Sequence, residues 1–592
     1  MVNATVTVKD ATGATASATA GTDGAYSGLL LDGLTAPFKV QACGLVDGNH
    51  ACYYSVVQHE GTANVTPLTH AVVALALGSD PATMFAAGST VAPPSAEAMA
   101  RQVQQLKLAL GDVLTKSGVS GSDDFATTPF SADRTGMDKV LDAVKISTGT
   151  DNDSGVSKTF VQLEAKIGSG NAYLDKDASS GQLAGGTGLD VDLKGITSIF
   201  VDGLGAAIAA PNPEACATRL AAANVFDDAF SLRIDDGATM NKATAPAMLC
   251  QYVADGGMLG GVFANPVLKD CDFANDAKVC IAGFDITKGE AVFDGAELAV
   301  VKRTGEPWRL LGRESVYDIH IGAAAQRSIR VDVPKEDSRA APQYNSALSF
   351  DIGADDGRSA TGVRAAKVYV HNFAGTSWEA TPLVTLVLTE ACIAQFSQSG
   401  EAPRLALVDT SGPSSCGASW KMLSDSHDGP SAAAKGDQLI DNFYKRGRQV
   451  RVDLFANMAA TRTPMASIVK RVEGVPPKFA AMASFPWLEL DSATRAALVS
   501  QAGTDSSFTA AWLPNATVSA KDVSFCVGGD CSGENRVGHA DTLPGHNSQA
   551  MSLHGKAAEA HGYKMLSLYG RDHDQVGVST SYISCGDAQS CR

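Results

Sequence analysis

The cysteines are the residues whose spacing says most about chemistry in this sequence. The chain has twelve, and in order they form six neighbour pairs: Cys43 and Cys52, Cys216 and Cys250, Cys271 and Cys280, Cys392 and Cys416, Cys526 and Cys531, and Cys585 and Cys591. This pattern predicts six local disulfides, each closing one loop or hairpin. Free thiols and a metal site are the alternatives, but zinc sites usually use two closely spaced pairs that lie near each other, which this sequence lacks.

Disulfides persist in oxidising compartments. The cysteine pattern therefore predicts a location in the periplasm, at the cell surface or in the medium. The first residues, MVNATVTVKD, predict a strand rather than an export leader. We expect such a leader to have been removed.

Histidines are concentrated near the carboxyl end of the chain, at His539, His546, His554, His561 and His573. His554 and His561 would share one face of a helix, and imidazoles in such positions can bind zinc or copper. The stretch HADTLPGHNSQ is typical of an exposed loop, in which histidines are simply solvated. We therefore predict no transition metal here.

One acidic stretch has ligands that calcium prefers. Asp151 and Asp153 lie in the sequence DNDSG, which resembles the start of a calcium loop but lacks the later glutamate of an EF-hand. Calcium is therefore the one cofactor that we consider, with Asp151 and Asp153 as weak candidate ligands. Polar turns in an acidic protein are the alternative.

Charge and missing motifs exclude several classes of function. The net charge of −17 repels phosphate backbones, so we predict no nucleic-acid partner. The longest apolar run is far shorter than the ~20 residues that span a bilayer, so we predict no transmembrane segment. A G-x-S-x-G elbow in a strand–turn–helix setting, HExxH and CxxCH are all absent. We name no catalytic residue and predict a protein that is not an enzyme.

Periodicity indicates a mainly β, multidomain protein: β-sandwich modules with a helical insert and one α+β segment. Thr66 and Ser95 precede the predicted helices as N-caps, and helix 95–116 is the clearest in the chain. Alternation of Val450, Val452 and Leu454 with charged residues predicts a strand. The predicted segments are a β-sandwich over 1–80, a helical segment over 81–196, an α+β domain over 197–335, and β-sandwiches over 336–475 and 476–592.

The first segment resembles a known exported module. Its opening ATVTV strand, the TDGAY turn at Thr22–Tyr26 and the PFKV strand at Pro37–Val40 are similar to the carboxypeptidase-regulatory-like (transthyretin-like) β-sandwich of exported bacterial proteins. The resemblance implies export from a Gram-negative-type bacterium, in which such modules often follow a lipoprotein leader. It implies no catalysis.

Two later segments carry weaker resemblances. The predicted hairpin in AELAVVKRTGEPWRLLG, with Trp308 opening its second strand, is similar to one in the nuclear-transport-factor-2-like cone fold. Such a cone would have a cavity, and Asp235, Asp236 and His320 are the titratable residues near it in sequence. Residues 476–592 resemble a fibronectin-III or immunoglobulin-like module, with Trp512 packed against tyrosine-bearing strands.

Together these patterns predict an exported bacterial surface or extracellular protein with a structural, adhesive or binding role, including polymer-forming or lipid-anchored forms. Its expected partner is a protein or polysaccharide at the cell surface, or another copy of the chain. The alternative is a secreted or periplasmic ligand-binding protein or enzyme with its site in residues 197–335.

Overall fold

A computed structural model shows a mainly β, multidomain chain, as the sequence predicts. The structure describes residues 1, 3–21, 23–29, 32–46, 49–86, 88–151, 158–166, 171–177, 179–183, 193–233, 239–272, 277–288, 291–293, 297–312, 317–334, 336–354, 363–370, 377–387, 408–409, 419–425, 434–441, 449–472, 474–501, 506–515, 517–527, 536–542, 546–554, 562–572 and 576–585.

The first module is a four-stranded antiparallel sheet in the order β2-β1-β3-β4. Its strands are β1 Thr5–Lys9, β2 Thr15–Thr19, β3 Phe38–Val46 and β4 Asn49–Val57. Val6 and Val8 alternate with exposed or half-buried residues, and they are buried together with Val40 in its core. The described part of residues 1–80 contains this one sheet, followed by one helix.

Two helices begin at the predicted capping residues and two more follow. They are α1 Pro67–Leu77, α2 Ala96–Leu110, α3 Asp112–Lys116 and α4 Gly136–Ala143. The Thr66 hydroxyl accepts the Thr69 amide at 3.3 Å, and the Ser95 hydroxyl accepts the Ala98 amide at 3.2 Å, so both predicted N-caps are confirmed. Gly111 interrupts the predicted helix 95–116 between α2 and α3.

The prediction of a helical segment over 81–196 is wrong for its second half. Its second half contains an antiparallel sheet in the order β5-β6-β7-β8, with β5 Val144–Asp151, β6 Lys158–Ala165, β7 Asn171–Asp175 and β8 Ser179–Gly181. Val161 and Leu163 pack against the helices. Phe160, Gln162 and Glu164 are also buried on the opposite face, so β6 lacks the alternation of a half-buried strand.

The third module packs helices against a sheet, as predicted for an α+β segment. Its helices are α5 Leu193–Ser198, continued by a π-helical turn Ile199–Gly205, then α6 Ala206–Ile208, α7 Pro213–Ala223 and α8 Ala245–Asp255. Its strands are β9 Phe226–Arg233, β10 Thr239–Asn241, β11 Val262–Asp272, β12 Lys278–Lys288, β13 Ala291–Phe293, β14 Leu298–Lys302 and β15 Arg309–Gly312. The predicted hairpin with Trp308 is confirmed as the antiparallel pair β14–β15.

A seven-stranded sheet in the order β21-β17-β16-β29-β28-β25-β26 dominates the rest of the chain. Its strands are β16 Tyr317–Arg330, β17 Gln343–Ala354, β21 Ser419–Asp425, β25 Val518–Val527, β26 Arg536–Asp541, β28 Lys564–Asp572 and β29 Gly577–Ser584. The sheet joins strands from three predicted segments. The predicted boundaries at 335/336 and 475/476 therefore do not coincide with boundaries between sheets.

Two smaller sheets complete the described fold. The five-stranded sheet β20-β19-β18-β22-β23 uses β18 Ala365–Val370, β19 Val384–Val387, β20 Val408–Asp409, β22 Gln449–Phe455 and β23 Ala466–Arg471. The pair β24 Ser506–Ala511 and β27 Ser548–Leu553 forms the other. The helices here are α9, over 434–441, and α10, Ser492–Ser500.

The hairpin β16–β17 contributes to two hydrophobic cores. Ile321 and Phe350, at one end of the hairpin, pack in the core that includes the five-stranded sheet. Ala323 and Ala325, further along β16, pack with Leu568 and Tyr582 in the core of the last module. One continuous hairpin thus connects two modules.

Candidate functional site

Every cysteine in the described part of the chain is disulfide-bonded. Three bonds join neighbours along the chain: Cys43 to Cys52, Cys216 to Cys250 and Cys271 to Cys280. Cys526 and Cys585 are also disulfide-bonded. Their predicted partners Cys531 and Cys591, and the predicted pair Cys392 and Cys416, lie outside the described residues.

The three described bonds connect different kinds of element. Cys43 lies directly opposite Cys52 in the pair β3–β4, and Cys271 lies opposite Cys280 in β11–β12. Cys216 and Cys250 join helices α7 and α8 in the interior of the third module, with a Cα–Cα distance of 5.8 Å. Each bond therefore lies within one module.

The calcium hypothesis falls on residues that the structure covers only in part. Asp151 ends β5, but its side chain and the whole of Asp153 lie outside the described part of the chain. Calcium at these two residues stays a prediction.

His554 follows strand β27 and is not in a helix, whereas His561 and His573 fall outside the described residues. His539 lies on β26, where its Nδ1 is 2.6 Å from Arg536 Nη2 and 3.1 Å from the Ser524 hydroxyl. A guanidinium that donates to Nδ1 occupies the lone pair that a metal would need.

The remaining neighbours of His539 are two carboxylates. Asp541 lies 3.5 Å from Nε2 and Asp522 lies 3.9 Å from Nδ1. Burial raises the pKa of Asp522, against the opposing effect of His539. Among the described residues, no group of three or more His, Cys, Asp or Glu side chains is arranged to hold a metal ion. We therefore interpret these contacts as stabilising the pairing of β25 with β26.

Of the three residues considered for a cavity in 197–335, only His320 is among the described residues. Asp235 and Asp236 lie outside the described residues. His320 lies on β16, in the seven-stranded sheet rather than the sheet of the third module, and its side chain is not described. Phe200, which contacts Phe284, and Trp308 instead help to fill the core between the helices and the sheet.

A partly buried charged cluster that the sequence reasoning missed lies between β16, β29 and the segment around the start of α10. Arg327 Nη1 lies 2.5 Å from Glu489 Oε1, and Arg495 Nη2 lies 2.7 Å from Glu489 Oε2. The Tyr582 hydroxyl accepts the Leu490 amide at 3.0 Å. Burial is the main cause that raises the pKa of Tyr582 to about 12, and neighbouring Glu489 adds to it.

A sequence signal for this cluster exists in β16. Arg327 follows Ala323 and Ala325 at the two-residue period of inward-facing side chains. A charged side chain at an inward-facing position of a strand needs a partner that compensates its charge. The position therefore indicates an ion pair in the core, although the sequence does not identify Glu489 as the partner.

The five-stranded sheet has an outer face, opposite its core, that combines aromatic, charged and apolar groups. The Arg451 guanidinium lies 4.4 Å from the Tyr369 ring centroid and 5.5 Å from that of Trp378. Arg451 also donates to both oxygens of Asp453, at 3.0 and 3.1 Å. These contacts hold the guanidinium in a fixed orientation on this face.

The β22–β23 hairpin that carries Arg451 also has exposed apolar side chains. Val469, on β23 opposite Arg451, is 48% exposed, and Met465 and Met458 are 43% and 42% exposed. Grouped exposed apolar side chains are typical of surfaces that bind a partner. We call Tyr369, Arg451, Met458, Met465 and Val469 the outer-face patch.

The sequence matches no family model and no curated protein. Solved structures that it resembles include a 1.5-MDa bacterial ice-binding adhesin, at 6% identity, covering 53% of this chain and 74% of that chain, with a TM-score of 0.13. Another is a Ca²⁺-stabilised adhesin from an Antarctic bacterium, at 7% identity, covering 99% of this chain and 90% of that chain, with a TM-score of 0.13. The tetra-tandem repeat from the extending region of a large adhesion protein is 8% identical, covering 100% of this chain and 93% of that chain, with a TM-score of 0.11.

These TM-scores lie far below the range in which two chains share a fold, so the resemblances assign neither fold nor function. A separate observation concerns membranes. Among the described helices, none is long and apolar enough to cross a bilayer.

Proposed function

We propose that this protein is exported and acts outside the cytoplasm, without catalysis, as a structural, adhesive or binding component of a bacterial surface. The observation that carries the proposal is that every described cysteine is disulfide-bonded. Thiols in the cytosol are kept reduced, so a chain that uses its cysteines in this way belongs in an oxidising compartment.

The outer-face patch supports the binding part of the proposal. It presents exposed Val469 opposite an arginine that stacks on aromatic rings, and exposed Met465 on the same hairpin. Apolar side chains surrounded by polar groups, with an aromatic–arginine pair, have the composition of protein-binding surfaces. We therefore propose a surface protein as the partner.

The experiment measures binding of the purified full chain to an immobilised envelope fraction from cells that make it. The double variant Met465→Ser/Val469→Ser should bind about tenfold more weakly, because it removes apolar contacts at the patch. Leu108→Ser is the matched control, since Leu108 is 72% exposed but lies on α2, in another module. Equal binding by all three proteins would reject the patch as the binding surface.

Treatment of the envelope fraction identifies the class of partner. Protease should abolish binding, whereas periodate oxidation of glycans should leave it unchanged. The reverse result would replace the proposed protein partner with a polysaccharide. Location is tested separately, by proteolysis of intact cells, which should cleave the protein without lysis. The transthyretin-like assignment, the Gram-negative source and polymer formation stay predictions.

A further inference from the structure

The central strand pair of the seven-stranded sheet is parallel. β16 pairs with β29 from Ala324 opposite Gly577 to Arg330 opposite Ile583, with no shift in register. The other described pairings in this sheet are antiparallel. β16 comes first in the chain and β29 comes last, so this parallel pair joins the beginning of the 317–584 unit to its end.

This topology sets the direction in which tension loads the bonds. In a parallel pair, the amino end of one strand and the carboxyl end of the other lie at opposite ends of the ladder. Tension that enters the unit at the amino end of β16 and leaves at the carboxyl end of β29 therefore acts along the strands. All the hydrogen bonds between them share this load, whereas a force applied at one end would break them one after another.

Further contacts extend the ladder past its last paired residues. The Val331 amide donates to the Ile583 carbonyl at 2.8 Å, and the Cys585 amide donates to Asp332 Oδ2 at 2.9 Å. Arg330 donates to both carboxylate oxygens of Asp332, at 2.7 and 3.2 Å. The carboxyl end of β29, where the load leaves the unit, is therefore held by side chains as well as by backbone bonds.

The interior contacts of the pair reinforce it. Arg327 of β16 lies within 3.4 Å of the Tyr582 hydroxyl of β29, and both side chains contact Glu489. The hairpin β16–β17 also contributes to two cores, so displacement of β16 would disturb both. Sliding of β16 past β29 would break these buried contacts together with the backbone ladder.

We propose that the parallel pair β16–β29 is a force-bearing clamp that resists tension transmitted along the chain through the 317–584 unit. The clamp goes beyond the proposed surface function and does not depend on it. A chain that bound no partner would have the same strand pairing, so failure of adhesion and failure of the clamp are distinguishable.

The test is single-molecule force spectroscopy on the full chain, pulled between two handles. One handle is at the amino terminus in both experiments. The other is at the carboxyl terminus, which shears the pair, or in the connection between β28 and β29, which pulls the two strands apart from their shared end. The shear event is identified by a length gain of up to about 900 Å, from roughly 270 residues between Tyr317 and Ser584.

The clamp predicts a rupture force at least about twofold higher in the shear geometry, because the hydrogen bonds of the ladder then share the load. Both geometries stretch the same folded protein, so the comparison isolates the direction of pulling. Asp332→Ala should lower the force in the shear geometry and leave the other nearly unchanged, because Asp332 holds the loaded end of β29. Equal rupture forces in the two geometries would overturn the proposal.

Discussion

Asp10 shows how a single buried carboxylate can fix a whole turn. Its oxygens accept the backbone amides of Thr12 and Ala14, both at 2.8 Å, and of Thr35 at 2.9 Å. These bonds connect the β1–β2 turn to the chain before β3. They favour the ionised carboxylate, and with the Thr35 amide as the largest cause they lower the pKa of Asp10 to about 2.

The Asp10 bonds predict a specific loss of stability in acid. The pKa of an unfolded aspartate is about 3.9. Because the folded pKa is lower, the contribution of Asp10 to stability is complete above that value and is lost as the pH falls towards about 2. Asp10→Asn should lower the melting temperature of the first module at neutral pH, and the difference from the parent should shrink in acid.

Calorimetry from neutral pH down to about pH 2, the folded pKa, measures that difference. Asp32→Asn is the control, since Asp32 is an exposed carboxyl in the same module. A constant difference between Asp10→Asn and the parent at all pH values would show that ionisation of Asp10 does not stabilise the fold.

The Tyr582 hydroxyl is a second residue whose loss should have a defined effect. Tyr582→Phe removes the acceptor of the Leu490 amide and of Arg327, both of which are buried. Leaving such donors unsatisfied should cost about 1–3 kcal/mol of unfolding free energy in the last module. Urea unfolding followed by tryptophan fluorescence measures it, because Trp487 lies beside Arg327.

Tyr569→Phe is the control for Tyr582→Phe. Tyr569 is only half-buried, and its hydroxyl accepts a single bond from Arg571 at 3.3 Å. Its removal should change stability by a few tenths of a kcal/mol at most. If the two variants were equally stable, the charged cluster would not be holding the strands together.

At the scale of elements, the disulfide between α7 and α8 should be the most stabilising of the three. It closes 34 residues, against 9 for each cross-strand bond. Chain-entropy estimates give about 4 kcal/mol for the long loop and about 2.5 kcal/mol for each short one. Thermal unfolding of Cys216→Ser/Cys250→Ser and of Cys43→Ser/Cys52→Ser tests this order, and a larger loss from the second pair would contradict it.

The helices and hairpins were predictable where a local signal was sufficient. Thr66 and Ser95 mark helix starts, and the TGEP turn marks the hairpin whose second strand follows Trp308. The β5–β8 sheet was not, because β6 is buried on both faces and shows no alternation. The contact between Arg327 and Glu489 was missed because it joins residues far apart in sequence, and the periodicity of a strand does not identify a distant partner.

At the scale of the whole molecule, the sequence predicts the β-rich class and separate modules but not how the strands are shared among them. β29 pairs with β16, across a separation of more than two hundred residues, and no local pattern encodes that partnership. A boundary placed between β16 and β17 by composition therefore divides a hairpin. The three disulfides with both cysteines in the described part of the chain lie within single modules, which is why their pairing could be proposed from spacing.

The redox state of the cysteines in the native cell tests whether the protein is exported and stabilised by disulfides. Intact cells are treated with acid to quench exchange, free thiols are alkylated, and the isolated protein is digested without reductant and analysed by mass spectrometry. We predict peptides that link Cys43 to Cys52, Cys216 to Cys250 and Cys271 to Cys280. Recovery of these cysteines as alkylated monomers would contradict the proposal that the protein is exported and stabilised by disulfides.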